Sequence, residues 1–201
     1  MALFLPPVPV VRRSLAASWE LFRGREEGMR DLDVSLEGFW RSFAVIVLLL
    51  PLNAVLVLAE MRLLERTGEV TAETFPFTAF ALAKFAGLAV DWVAFPILLA
   101  LFAGWLQVTR TFVPYVVARN WAAPLALSLS AIPAILFAAG MIGEEIAVIV
   151  FLVVLVLVLR FHYLILRIAL KAEPGLALAL VIADLVLSIM ISQAFAGLAR
   201  P

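Results

Sequence analysis

Four ionisable side chains lie inside long apolar stretches of this 201-residue chain: Asp91, Arg160, His162 and Asp184. At about 1.5 Å per helical residue, Arg160 and Asp91 each lie roughly 21 Å from one predicted external helix end. Asp184 lies roughly 12 Å from the opposite end of its helix, which is nearly the same depth in a hydrocarbon core of about 30 Å. We therefore expect an ion pair between Arg160 and Asp184, with Asp91 as a second acceptor and His162 close by.

This candidate intramembrane charged layer has two interpretations. A structural one is that the charges only lock the helices together, because an unpaired charge in lipid is costly and must find a partner. Arg160 can also extend its head group to the membrane interface. The functional interpretation is a transport or proton-relay site, since ionisable groups at membrane depth mark such paths.

A second charge pair is predicted at the other side of the membrane. Glu60 ends the first predicted span and Lys84 lies near the start of the second, so the two should meet near the external surface. We interpret this external pair as structural.

The composition places the chain in a membrane. Hydrophobic residues make up 65% and charged residues 15%, against about 45–50% and about 25% in soluble domains. The mean hydropathy is +1.12, and a net charge of zero gives no long-range attraction to nucleic acid. The lipid bilayer is therefore the expected partner, with no nucleic acid.

Enzymatic chemistry is not indicated. The chain has no cysteine and a single histidine, which argues against thiolate catalysis and against Cys-based or His-based metal sites. The phosphate-binding, nucleophile-elbow, zinc-protease and EF-hand motifs are missing from the sequence. We expect no catalytic, cofactor-binding or metal site.

The apolar stretches predict an all-α polytopic membrane protein with five transmembrane helices. An N-terminal cytoplasmic or interfacial segment, 1–35, precedes a transmembrane domain at 36–201. The predicted spans are about 39–59, 77–106, 121–141, 145–167 and 176–196. The stretch 107–120 is interpreted as an interfacial connection, and Pro51 is expected to bend the first span.

The segment Pro9 to Arg23 reads as a short amphipathic helix. One face carries Val11, Leu15, Trp19 and Phe22, a spacing typical of a helix in the membrane interface. The alternative is a helix docked on the bundle. Downstream, Ser35 is a plausible N-cap for a helix that starts at Leu36.

The basic residues predict the orientation. The N-terminal segment together with Arg41, the 107–120 connection and the 160–171 region carry six, two and three Arg or Lys residues, eleven in all. The opposite side has three, which are Arg62, Arg66 and Arg200. Because the cytoplasmic side collects basic residues, we expect a bacterial inner membrane protein with a cytoplasmic N-terminus and an external C-terminus.

Two stretches carry a resemblance to a known family. RTFVPYVVARNW, from Arg110 to Trp121, and RFHYLILRIALKAEPGLALALVIADL, which begins at Arg160, resemble parts of the bacterial Yip (Ypt-interacting protein) type five-span membrane family. The resemblance implies a membrane adaptor or organising role, often in oligomers, with no catalytic residues to carry over.

The leading functional expectation is a non-enzymatic membrane scaffold or accessory subunit that binds other membrane proteins or itself. The alternative is a small-solute or proton transporter that uses Arg160, Asp91 and Asp184. A polar cavity that reaches Asp91 or Asp184 would favour transport. A dry and fully paired layer would favour the scaffold.

Overall fold

The computed structural model describes residues 6–66 and 76–199, and these ranges are helical with no strand. Within them, five helical spans are long and apolar enough to cross a membrane, as predicted. A short 3-10 helix at Glu26–Asp31 follows the first helix. The α-helices are α1 Val8–Phe22, α2 Leu36–Phe43, α3 Ile46–Arg66, α4 Phe77–Phe102, α5 Phe112–Ala138, α6 Glu144–Ile168 and α7 Pro174–Ala199.

Helices α2 and α3 together form the first span, with a break at Ala44 and Val45. The break lies six residues before Pro51, which stays inside α3, so the first span is interrupted at a position that was not predicted from the sequence. At the break, Val45 N donates to Ser42 O at 3.2 Å, a bond over three residues instead of four. The Ser42 hydroxyl also donates to Phe39 O at 2.7 Å, and such side-chain bonds compete with regular helix bonds.

Ser35 caps α2 as predicted. Its Oγ accepts a hydrogen bond from Gly38 N at 3.0 Å, and its own N donates to Asp33 Oδ1 at 3.1 Å. Hydrogen bonds to Asp33 from the side chain and the backbone N–H of Ser35, followed by the nearby Arg41 charge, hold the pKa of Asp33 below its ordinary value. A Cβ on Gly38 would lie 2.0 Å from Asp33 O, so only glycine fits this turn.

Ser35→Ala is expected to lower the free energy of unfolding by about 1 kcal/mol, since the Gly38 N–H loses its acceptor. Thermal unfolding in detergent micelles measures the change. Ser128→Ala is the matched control, because the Ser128 hydroxyl only donates to Pro124 O within α5. Equal losses in the two variants would contradict the capping role.

The second and third spans differ from the predicted ones. Helix α4 ends at Phe102 instead of 106, and α5 begins at Phe112 instead of 121. The connection is therefore residues 103–111, and the stretch 112–120 is helical. Pro114 lies in the first turn of α5, where a missing N–H costs no helix bond. Gln107 takes the left-handed conformation with φ 58°, which reverses the chain.

Helix α5 lies at the centre of the bundle. Helices α1, α2, α3 and α6 all pack against it, whereas α4 packs mainly on α7. The main buried cluster includes Leu21, Phe95, Val116, Phe161 and Ile165. A small second cluster contains Val57 and Phe80. The tight packing is thus at the end of the bundle where α1 docks.

Helix α1 docks on α5 and α6. The side against the bundle consists of small residues and one leucine: Ser14, Ala17, Ser18 and Leu21. Of the predicted apolar face, Val11 and Phe22 also contact the core, but Trp19 remains 47% exposed. Helix α1 is therefore docked on the bundle, which was the alternative to a helix in the membrane interface. Trp19 remains about half exposed.

The turn after α1 requires two glycines. Gly24 has φ +79°, and Arg25 N donates to Glu20 O at 2.9 Å, which is a Schellman helix end. Gly28 lies against α1, because a Cβ there would be 2.5 Å from Ala17 O. The 3-10 helix can approach α1 closely only with glycine at this position.

Candidate functional site

Asp184 has a different partner from the predicted one. Its Oδ1 lies 3.4 Å from Arg119 Nη2, and its Oδ2 lies 3.7 Å from His162 Nδ1. Asp184 is 8% exposed. His162 is thus close to Asp184 as predicted, but the guanidinium at this carboxylate belongs to Arg119 of α5, not to Arg160.

Arg160 instead joins α6 to α1. Its Nη1 donates to Phe22 O at 2.9 Å, at an exposed position. Phe22 is the last residue of α1, where backbone carbonyls lack helical partners and the helix dipole is negative. Arg160 therefore supplies a hydrogen bond and a favourable charge to the end of α1.

Arg119 connects three spans. Besides Asp184 of α7, its Nη1 donates to Trp92 O of α4 at 3.4 Å. That carbonyl is available because Pro96, four residues on, has no N–H to donate to it. The guanidinium also lies 5.8 Å from the centre of the Phe95 ring, and Nε has no hydrogen-bond partner among the described residues.

Asp91 belongs to a neighbouring polar group. The Ser188 hydroxyl donates to Asp91 Oδ1 at 2.6 Å. Ser188 lies one helical turn from Asp184 on α7, so the two acids occupy adjacent levels. Among the residues that the structure describes, no cation lies within ion-pair distance of Asp91.

A cavity of about 210 Å³ reaches Asp91. It lies between α4 and α7, with Asn53 of α3 at one side. Its polar lining is Asn53, Lys84, Asp91, Ser188 and Ser192. The Asn53 Nδ2 atom is buried without a hydrogen-bond partner in the described part of the chain.

The predicted pair of Glu60 and Lys84 is present. Lys84 Nζ lies 2.6 Å from Glu60 Oε1, and it lies 5.2 Å from the centre of the Phe80 ring. Lys84 and Asn53 also line a second, larger and mostly apolar cavity of about 640 Å³ between α3, α5 and α6. Lys84 of the ion pair therefore lines both cavities, whereas Glu60 lines only the second.

Arg119 is the site residue that the sequence interpretation missed. It was assigned to a connection because Pro114 and polar neighbours precede it. A proline in a first helical turn would have placed Arg119 seven residues inside a span. For Ser188, the signal was the spacing of four between Asp184, Ser188 and Ser192 on one helix.

The arrangement can hold charges and protons, and its oxygen atoms can accept hydrogen bonds or bind a cation. No group of three or more His, Asp or Glu side chains within the described ranges could hold a metal ion. Comparisons with protein-family models, curated proteins and solved structures find no match. Across the described residues, the protein is therefore an all-α protein with five candidate membrane spans.

Proposed function

We propose that this protein is a membrane transporter for a small solute or proton, with its path along the polar residues of α4 and α7. The observation that carries the proposal is the cavity that reaches Asp91. A helix bundle that served only as a scaffold would gain nothing from a partly polar cavity beside the half-buried Asp91 carboxylate, because such groups are costly in lipid.

The polar residues follow one another along the membrane depth. On α4, Lys84 and Asp91 are seven residues apart, which is about 10 Å along the helix. On α7, Ser192, Ser188 and Asp184 follow at steps of about 6 Å. Glu60 with Lys84 forms one end of this path, and Asp184 with its two basic partners forms the other.

Arg119 closes the path. It is bound to both Asp184 and Trp92 O, next to the level of Asp91. A solute that leaves Asp91 in this direction must pass Arg119, so transport requires this side chain to change partners. Alternating access requires a path that is open to one side of the membrane and closed to the other.

A second candidate function is the scaffold or accessory subunit, with a Yip-like organising role. Burial of the Arg119–Asp184 pair favours it, since such a pair can act simply as a lock between helices. In this proposal, the exposed Trp19 of α1 and the lipid-facing spans offer contacts to other membrane proteins or to a second copy.

Both candidates place the protein in a bacterial inner membrane with a cytoplasmic N-terminus. Arg and Lys counts support this orientation. Docking of α1 supports it as well: Phe22 lies 5.2 Å from Phe161, ring centre to ring centre. Thus the N-terminal segment and the basic 160–171 region, which were both predicted to be cytoplasmic, lie at the same end of the bundle.

Proton movement into liposomes tests the transport proposal. Purified protein is reconstituted with a pH-sensitive dye inside, and an external acid pulse is applied. The wild-type chain is expected to acidify the interior faster than protein-free liposomes, and Asp91→Asn to return the rate to that of protein-free liposomes. Glu145→Gln, which removes an exposed carboxylate that lines neither cavity, should behave like wild type.

A wild-type rate equal to that of protein-free liposomes would contradict proton transport. A wild-type rate that Asp91→Asn leaves unchanged would exclude the path through Asp91. In the first case, a membrane protein that co-purifies in stoichiometric amount would favour the scaffold.

A further inference from the structure

We infer that the Asp91 cavity binds one small monovalent cation, with the Asp91 carboxylate as its charge partner. The ligand class is an alkali metal ion or a protonated primary amine. This inference names the solute or coupling ion of the proposed transport function and rests on it.

Asp91 has no ion-pair partner of its own among the described residues. Glu60 is paired with Lys84 at 2.6 Å, and Asp184 is paired with Arg119 at 3.4 Å. Asp91 has the Ser188 hydroxyl at 2.6 Å but no ion pair within the described ranges. With His162 counted as neutral, the described site therefore carries one excess negative charge, and a carboxylate at membrane depth gains from a bound cation.

The atoms around Asp91 suit such a cation. Hydroxyl oxygens of Ser188 and Ser192 and the amide of Asn53 line the same cavity. Oxygen atoms are the preferred ligands of hard cations, and they also accept hydrogen bonds from an ammonium group. Asn53 Nδ2 is buried without a partner among the described residues, and a rotation of the amide would turn its oxygen to that position.

The same features disfavour other ligands. An anion would need a free cation, but Lys84 is already paired with Glu60. Ca²⁺ is usually held by several carboxylates, whereas Asp91 is the only carboxylate among the described residues that line this cavity. A volume of about 210 Å³ accommodates an ion with several water molecules, each of which takes about 30 Å³ in the liquid.

Thermal unfolding in detergent at constant ionic strength tests the inference. Choline chloride is replaced stepwise by lithium, sodium, potassium or methylammonium chloride. At least one of these cations is expected to raise the Tm of the wild-type chain progressively with its concentration, because a ligand of the folded state stabilises it. A response to the metal ions alone, or to methylammonium alone, identifies the kind of cation.

Asp91→Asn is expected to abolish the cation-dependent rise in Tm, and Glu145→Gln, which lies outside both cavities, to retain it. Should Asp91→Asn fail to fold, Ser192→Ala takes its place, with more cation needed for the same rise. An unchanged wild-type Tm in all four salts overturns the inference. A rise that the cavity variants retain in full overturns it as well.

Binding and transport remain separable. Proton flux into liposomes without any cation-dependent Tm would refute the cation site and leave the proposed transport function standing. A cation-dependent Tm that requires Asp91, without flux of protons or of that cation into liposomes, would support the site and refute transport.

Discussion

Arg119→Ala is expected to lower the free energy of unfolding by about 3–5 kcal/mol, because removal of one partner of a buried ion pair leaves the other charge uncompensated. The side chains of Arg119 and Asp184 are each 11% exposed. Without Arg119, the described partner left to Asp184 is His162, at 3.7 Å, and Trp92 O also loses its donor. Thermal or denaturant unfolding in detergent micelles measures the loss.

Arg160→Ala is the matched control. The sequence alone favoured Arg160 as the partner of Asp184, but its guanidinium makes an exposed bond to Phe22 O. Removal of the Arg160 side chain should lower the free energy of unfolding by about 1 kcal/mol, the value typical of one hydrogen bond. An Arg160→Ala variant as destabilised as Arg119→Ala would contradict the assignment of the pair.

A double replacement separates the pair from its parts. Arg119→Met with Asp184→Leu removes both charges and keeps apolar volume, which is often neutral or stabilising for a buried pair. The double variant should therefore be more stable than Arg119→Ala. A double variant less stable than Arg119→Ala would contradict the uncompensated charge of Asp184 as the cause of the loss in Arg119→Ala.

The span number could be predicted because lipid imposes a long apolar run on every membrane helix. The cap at Ser35 could also be predicted, since an N-cap depends on one local side chain. The start of α5 could not be predicted, because Pro114 is compatible with both a connection and a first helical turn.

The start of α5 determines whether Arg119 lies in a connection or inside a span, and therefore whether Arg119 is a candidate partner for Asp184. Depth along a helix was sufficient to bring Asp91, His162 and Asp184 to similar levels. Rotation about the helix axis was not fixed by depth, and the position of α1 was unknown. Arg160 faces the end of α1, whereas Arg119 faces Asp184, and only the packing of α1 and α5 determines that difference.

Packing at the α1 end leads to a second large effect. Phe161→Ala is expected to lower the free energy of unfolding by about 3–5 kcal/mol, the range for a buried phenylalanine. Phe161 is 0% exposed and contacts Phe22 edge to face. Its removal leaves a cavity in the main cluster and also takes away the aromatic contact that holds α1 on α6.

Phe151→Ala in the same helix is the control. Because Phe151 is 53% exposed, its replacement should lower the free energy of unfolding much less. Limited trypsin digestion adds a local measurement, since Arg12 and Arg13 lie on α1. Faster cleavage there in Phe161→Ala, below its unfolding temperature, would show that α1 is released before the spans separate. Equal stability of the two variants would contradict the tight packing at this end of the bundle, and with it the role of Phe161 in docking α1.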